Sequence, residues 1–471
     1  MTGLTEMAGR IGRVVGPTKV LDEHPELPDG PSDPAWLQTW LWLTRPTRVL
    51  RRYHRRYGET FTMRVAGVPP FVMYGGPEAV KEIFTGPPDE LYAGEANIVL
   101  EPILGQNSVL LLDGARHMRQ RRLLLPPFHG QRMRAYGEVM RDVTLESMKG
   151  WPRGRPFPVH ERTQAITMDV ILRTVFGLDA NDPAMGEFHT SLAQLLDGTA
   201  NPLMLIPAAQ TDLGPWSPGG RLRRRLDEVD RLVYGQIRRR RREGTAGRED
   251  VLSMLIDARD EDGAPMTEAE LRDELMTLLL AGHETTATSL AWTFYRLLKN
   301  PDALAKAHQE IDAVFPDHAP IDPDRVSELR FIDACGKETL RMNPVVPAVA
   351  RRLQSPMTIG GWDLPAGVVA VPNIYLVHHD PRVWPDPLRF DPSRFLDSKP
   401  SPYTFFPFGG GIRRCIGMAF ALYEMQVVLA TVLSRLTIEP APDAHVRLVR
   451  RAITFAPSDG MPLIVKDRWL R

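Results

Sequence analysis

Cysteine is scarce: the 471 residues contain two, Cys335 and Cys415. That excludes a disulfide framework and a cysteine-rich zinc site, and it fits a reducing compartment. Net charge is absent too, with 58 Lys+Arg against 58 Asp+Glu. Balance of this kind argues against a nucleic-acid binder held by bulk charge, although local basic patches stay open. The first 30 residues hold no sustained apolar run, so neither a signal peptide nor a spanning helix is expected there. The most apolar early stretch, Trp36 to Leu43 (WLQTWLWL), lies between Pro34 and Pro46 and is too short to span a bilayer. It reads as a short helix packed on the domain or as a surface segment dipping into lipid, since Trp favours interfaces. No repeat, low-complexity tract or linker divides the chain. The expectation is an extension over 1–30 without signal or anchor, then one domain over 31–471, soluble and cytoplasmic.

What is present is a large apolar share, 43%, with 25% charged residues, enough for a sizeable core. Proline is high, 43 of 471, about 9%; roughly 5% is usual. The prolines fall between apolar segments and so imply long, ordered connections. Phe61, Met63 and Val65 alternate, and Phe71-Val72-Met73 follows Pro69-Pro70, which reads as a hairpin. Pro77 to Phe84 reads as a short helix opened by proline. From Arg116 to Arg341 the pattern is mainly helical. Arg221, Arg223, Arg224 and Arg225, then Arg238 to Arg242, read as solvated faces; the second cluster closes a helix before Glu243-Gly244. Beyond Pro344 the chain is proline-rich and strand-like. A last helix is expected from about Ile416 to Leu436, and a hairpin around Ser458-Asp459-Gly460. The fold class is mainly α with a smaller β lobe, in a single large domain.

Cys415 lies in Phe408-Gly409-Gly410-Gly411-Ile412-Arg413-Arg414-Cys415-Ile416-Gly417. Three glycines allow a tight turn with positive φ and leave room against the backbone. A helix follows at once, so a thiolate is expected to be stabilised by the helix N-terminus. Gly417 removes a side chain where the helix would meet a flat ligand, and Arg413 supplies a cation suited to a carboxylate. The bland alternative is a buried cysteine beside a glycine turn. Zinc fails for want of a second thiol, and no base for a nucleophilic cysteine is implied in sequence.

The pattern Phe408-Gly-x-Gly411-x-Arg413-x-Cys415-x-Gly417 resembles the haem-binding loop of the cytochrome P-450 family. Four further segments match in the family's order. Glu338-Thr339-Leu340-Arg341 resembles its Glu-x-x-Arg, on one helix face. Phe390-Asp391-Pro392-Ser393-Arg394-Phe395 resembles its later Arg-Phe motif, so Arg394 is expected to join Glu338 and Arg341 in a buried charge triad that acts as scaffold. Ala281-Gly282-His283-Glu284-Thr285-Thr286, inside an apolar helix, resembles the distal oxygen groove; as a plain core helix it is a tolerated polar kink. His117-Met118-Arg119-Gln120-Arg121 resembles the helix that reaches the haem propionates, with Arg351 as a third contact and Arg352 as its substitute.

The resemblance, spanning about residue 60 to the C-terminus, implies haem b with Cys415 as axial thiolate. Phe408, Gly409, Gly417 and Ala281 would line the haem, and His117, Arg121, Arg351 and Arg413 would bind it. Thr285 would hydrogen-bond dioxygen and Glu284 would help deliver protons; His283 as an iron ligand is the weaker alternative. Cys335 reads as a core residue. The implied activity is a monooxygenase that hydroxylates or epoxidises an apolar small molecule such as a fatty acid, terpenoid, steroid or polyketide. Ile98, Leu100, Ile103, Leu203 to Ile206, Leu280, Ala281 and Val345 to Val349 would line the substrate pocket. Electrons would come from a ferredoxin or flavodoxin with an NAD(P)H-dependent reductase, because no phosphate-binding fingerprint or cysteine set marks a fused reductase. Arg122, Arg413 and Arg414 would help dock that carrier. A non-catalytic haem-thiolate sensor and a peroxide-using or rearranging relative are the alternatives; the Glu284-Thr285 pair argues against both. Nucleic acid and an integral membrane anchor are not expected.

Overall fold

A computed structural model of the chain describes residues 27–130, 132–199, 207–442 and 444–468. Its longer helices are α1 Pro46–Tyr57, α2 Gly114–Leu124, α3 Arg132–Lys149, α4 Val159–Thr174, α5 Ala184–Thr199, α6 Pro218–Glu243, α7 Glu268–Leu298, α8 Pro301–Val314, α9 Arg330–Met342 and α10 Met418–Arg435. Their limits follow from local chemistry. Thr267 and Glu270 form a reciprocal capping box that opens α7. The Ser217 hydroxyl accepts from the Gly220 N–H at the start of α6, Pro218 takes its first position, and Gly244 at φ 85° ends it.

The main core joins α3, α4, α7, α9 and α10 through residues such as Met140, Ile171, Leu275, Cys335 and Leu429. Each such Leu or Ile, fully buried, contributes about 1.5–3 kcal/mol. Among the described residues α10 is the one helix long and apolar enough to cross a bilayer, but 67% of it is buried inside the protein, as in a core helix. Cys335 sits in α9 with no exposure, as expected.

The β lobe is a five-stranded sheet of β1 Thr60–Met63, β2 Phe71–Tyr74, β3 Leu91–Tyr92, β4 Arg351–Leu353 and β5 Val369–Pro372, in the order β1-β2-β5-β4-β3. The expected hairpin is present, Met63 opposite Phe71, and β2 then pairs in parallel with β5, Phe71 opposite Val369. Chain segments distant in sequence thus meet beside the cysteine loop. Leu27 already packs on this lobe, and Asp29 accepts from the Thr62 N–H at 3.1 Å.

Two readings change. The C-terminal hairpin is Leu448–Arg451 against Thr454–Pro457, turning at Ala452 with φ 47°. Ser458–Gly460 instead passes the chain to strand Pro462–Arg468, which pairs with Leu436–Pro440 and Phe157–Pro158. Leu463 and Val465 find their burial there, and burial outweighs local turn chemistry. The arginine clusters are largely solvated and ion-paired, as in Arg238 with Glu268. Arg240 is the exception: it is buried and donates to the Gly177 carbonyl at 2.9 Å.

Candidate active site

Gly409 and Gly411 take φ of 67° and 63°, conformations that favour glycine. The packing is as restrictive: a Cβ on Gly410 would lie 2.1 Å from the Phe84 ring, and one on Gly411 2.4 Å from the Phe84 carbonyl. The Cys415 N–H closes the loop on the Phe408 carbonyl at 2.9 Å. Cys415 is solvent-accessible by area, yet burial pushes its thiol pKa up, against the Gly417 N–H, Arg121 and Arg414. Both observations hold together if the sulfur faces a void inside the protein. A Cβ on Gly417 would likewise meet nothing within 4 Å. The helix N-terminus therefore does not by itself make Cys415 a thiolate: desolvation wins, and a bound cation is what would deprotonate it.

A buried cationic cluster lies beside the loop. His117 is 2% exposed, and burial with Arg413, Arg121 and Arg351 lowers its pKa to about 3. Its Nδ1 is buried without a partner. Arg351 is lowered to about 10, chiefly by burial and then by Arg413; its side chain donates to the Ala350 carbonyl at 2.8 Å. No ion pair involves Arg121 among the described residues, and burial lowers its pKa. Arg352 points away toward Glu95, 3.5 Å distant. Alternation along β4 thus selects Arg351. Arg413 is spoken for: it is paired with Asp113 and bonded to the Val109 and Leu112 carbonyls. Three arginines against one carboxylate leave two positive charges to be met. The two propionates of a haem suit that excess, as the open side of Gly417 suits its flat face.

Asp113 carried no role in the sequence. It accepts from the N–H groups of Ala93, Gly94 and Glu95 at 2.9–3.0 Å, besides Arg413. Its position before α2 resembles a cap, but its side chain ties three segments together instead. Phe84 was equally invisible, because nothing local marks a ring as the mould of a distant glycine turn.

On α7, Ala281 is exposed although the helix is otherwise largely buried, so it faces an internal space. The Thr285 hydroxyl lies on the same face and donates to the Ala281 carbonyl. Glu284 is turned about 100° away. It accepts from Gln164 at 2.7 Å, and its Oε1 lies 3.8 Å from both Arg451 and His160. His160 is held neutral, its pKa lowered to about 3 by burial. Burial raises the Glu284 pKa despite Arg451. His283 is bound to Thr167 at 2.8 Å and turned toward α4, away from the Ala281 face. Gly282 serves packing: a Cβ there would lie 2.9 Å from Ile171.

The charge triad assembles. Glu338 accepts from Arg341 at 2.7 and 2.8 Å, and Arg394 Nε lies 3.5 Å away. Arg341 also donates to the His378 carbonyl at 2.8 Å, and the His378 ring accepts from the Phe406 N–H at 3.1 Å. That line of bonds ends at the cysteine loop.

Of the expected pocket residues, Ile98, Leu100, Leu280 and Val349 are half-buried, whereas Ile103 and Val345 are packed into the interior. Leu203 to Ile206 lie outside the described residues. Arg122 is paired with Glu261 and Arg413 is internal, so neither is a free docking charge. Arg414 is exposed and contacts Met418.

The cytochrome P450 family model matches residues 28–461. A Mycobacterium bovis protein named provisionally as cytochrome P450 135B1 is 41% identical over 443 residues, 93% of this chain and 91% of its own length. Another from the same organism, provisionally cytochrome P450 138, is 37% identical over 447 residues, 94% of this chain and 97% of its own. The crystal structure of the cytochrome P450DA heme domain superposes with TM-score 0.84 at 25% identity, covering 94% of this chain and 98% of that one.

Proposed function

Because the chain belongs to the cytochrome P450 family, we propose that Cys415 is its proximal haem ligand and that it hydroxylates or epoxidises an apolar substrate. Membership itself makes the protein a haem-thiolate monooxygenase. When bound, the haem supplies the oxidative chemistry, in which one atom of dioxygen enters substrate and the other leaves as water with two electrons and two protons.

The residues divide the remaining work. His117, Arg121 and Arg351 bind the propionates, with Arg413 held beside them by Asp113. Ala281 leaves space on the distal face, and the Thr285 hydroxyl, whose proton goes to the Ala281 carbonyl, presents an acceptor oxygen there for a hydrogen bond from bound oxygen. Glu284, whose pKa burial raises, keeps a proton to higher pH than an ordinary glutamate. Its Oε1 lies 3.8 Å from both His160 and Arg451, the groups nearest to take part in moving that proton. The observation that carries this reading is the exposed Cys415 beside the open side of Gly417, next to a cluster with two uncompensated positive charges.

Electrons reach the site from a ferredoxin or flavodoxin and its NAD(P)H-dependent reductase, docked on the cysteine side near Arg414, in the cytoplasm. The substrate is an apolar small molecule bound over the Thr285 face. A turnover assay with a surrogate ferredoxin and reductase tests the proposal: substrate-dependent NADPH consumption should match hydroxylated or epoxidised product. Haem-loaded protein that consumes no NADPH and forms no product with any compound of a broad apolar panel would mark a binder without turnover. Product formed only with added peroxide would mark a peroxide-using relative.

A further inference from the structure

Arg450 is half-buried, and among the described residues no counter-charge lies beside its guanidinium. It lies in strand Leu448–Arg451, opposite Phe455 in the hairpin register. Successive residues of a strand point to opposite faces. Arg451 reaches toward Glu284 on one face. On the other, the Arg450 guanidinium stands 4.0 Å from the centre of the Trp42 ring and 5.8 Å from that of Phe455. Its Nε and Nη1 are buried and have no acceptor. Burial alone moves its pKa, down to about 10, with no carboxylate opposing the shift. The side chain is therefore a charged, partly desolvated group at neutral pH with two covered donor atoms unused. Ring stacking offsets part of that cost, but covered guanidinium nitrogens such as these are ordinarily paired.

Its surroundings say where a partner would come from. Trp42 meets Phe71 edge-on, and the same apolar cluster takes in half-buried Ala96, Ala348 and Ala350. Ala96 lies in the turn Glu95–Leu100, which also carries Ile98. The Phe455 N–H donates to the Val345 carbonyl at 2.7 Å, which fixes the hairpin to the loop of Val345 to Val349. Arg450 thus stands where the helix Ala35–Thr44, the 95–100 turn, the 345–350 loop and the C-terminal hairpin converge. The opposite face of that hairpin touches the residue beside Thr285.

We propose that Arg450 receives the carboxylate of an amphipathic substrate, an acid on an apolar chain whose tail runs toward Thr285. The inference rests on the monooxygenase reading and narrows its substrate to molecules with one anionic end. Trp42 stacks on the guanidinium and covers part of it from water.

Calorimetric titration of the haem-loaded protein tests it with straight-chain carboxylates of medium and long chain, each against the primary alcohol of equal length. A charge-assisted bond should make some acid bind at least about tenfold more tightly than its alcohol. Arg450→Gln should remove that preference and leave the alcohol's Kd within about twofold. Equal binding of acid and alcohol at every chain length by the unsubstituted protein would overturn the proposal without any variant. So would an Arg450→Gln protein that kept the preference, which would leave Arg450 as a plug stacked on Trp42. The carbon monoxide difference spectrum of the same sample tests the haem-thiolate reading separately: a normal spectrum with no acid preference sinks only the Arg450 assignment.

Discussion

Replacing Glu338 with alanine should unsettle the scaffold beneath the cysteine loop by an amount that can be worked out. Glu338 is fully buried and accepts two bonds from Arg341, which is fully buried as well. Stranding one member of a buried pair costs about 3–5 kcal/mol. Arg341 keeps backbone acceptors at His378 and Pro387, at 2.8 and 2.9 Å, so only its Nε is left bare. The lower end, about 3 kcal/mol, therefore applies. The Asp391 N–H also loses its acceptor, 3.0 Å away, for about 1 kcal/mol more. Unfolding entropy near 2.1 cal/mol/K per residue gives about 1 kcal/mol/K for the whole chain, so about 4 kcal/mol lowers Tm by about 4 °C. Because Arg341 and Phe406 share His378, haem content should fall as well. A circular-dichroism melt and a pyridine haemochrome assay read the two effects. A Tm within about 1 °C of the parent with full haem content would refute the reasoning.

Cys415→Ala should abolish the strongly red-shifted Soret band of the ferrous carbon monoxide complex, and an unchanged band would remove Cys415 as ligand. Thr285→Ala should uncouple NADPH use from product and release peroxide, measured by a peroxidase-coupled assay; coupled turnover would refute its role. Glu424 is buried with neither oxygen partnered, and burial alone raises its pKa well above the usual range. A raised carboxyl pKa means that the folded state holds a proton that the unfolded state gives up, so stability is full below about pH 4.3 and falls as pH rises toward the folded value. Glu424→Gln should flatten the fall of Tm with rising pH above that point, and an unchanged slope would show that Glu424 is not its source.

Much of the site was legible because the motifs are local. Loop glycines, the i,i+3 pair Glu338 and Arg341, and the i,i+4 pair His117 and Arg121 owe their meaning to spacing along the chain, and the structure keeps each pattern. Thr285 and Glu284 were legible as neighbours, but not as residues facing different surroundings. That division depends on α4 lying against one side of α7, where Gly282 meets Ile171.

Composition and order along the chain thus determined the class of the fold, the family it resembles and the side chains proposed to carry its chemistry. Tertiary structure alone decided how those groups are paired and how wet they are. Arg413 turns to Asp113, Arg351 rather than Arg352 enters the cationic cluster, and desolvation overrides the helix terminus at Cys415. Arg450, unremarkable in the sequence, becomes a half-buried charge with two covered nitrogens that find no acceptor among the described residues. The physical reason is common to all four: charge pairing and desolvation depend on distance and on excluded water, and both are set by segments far apart in the chain.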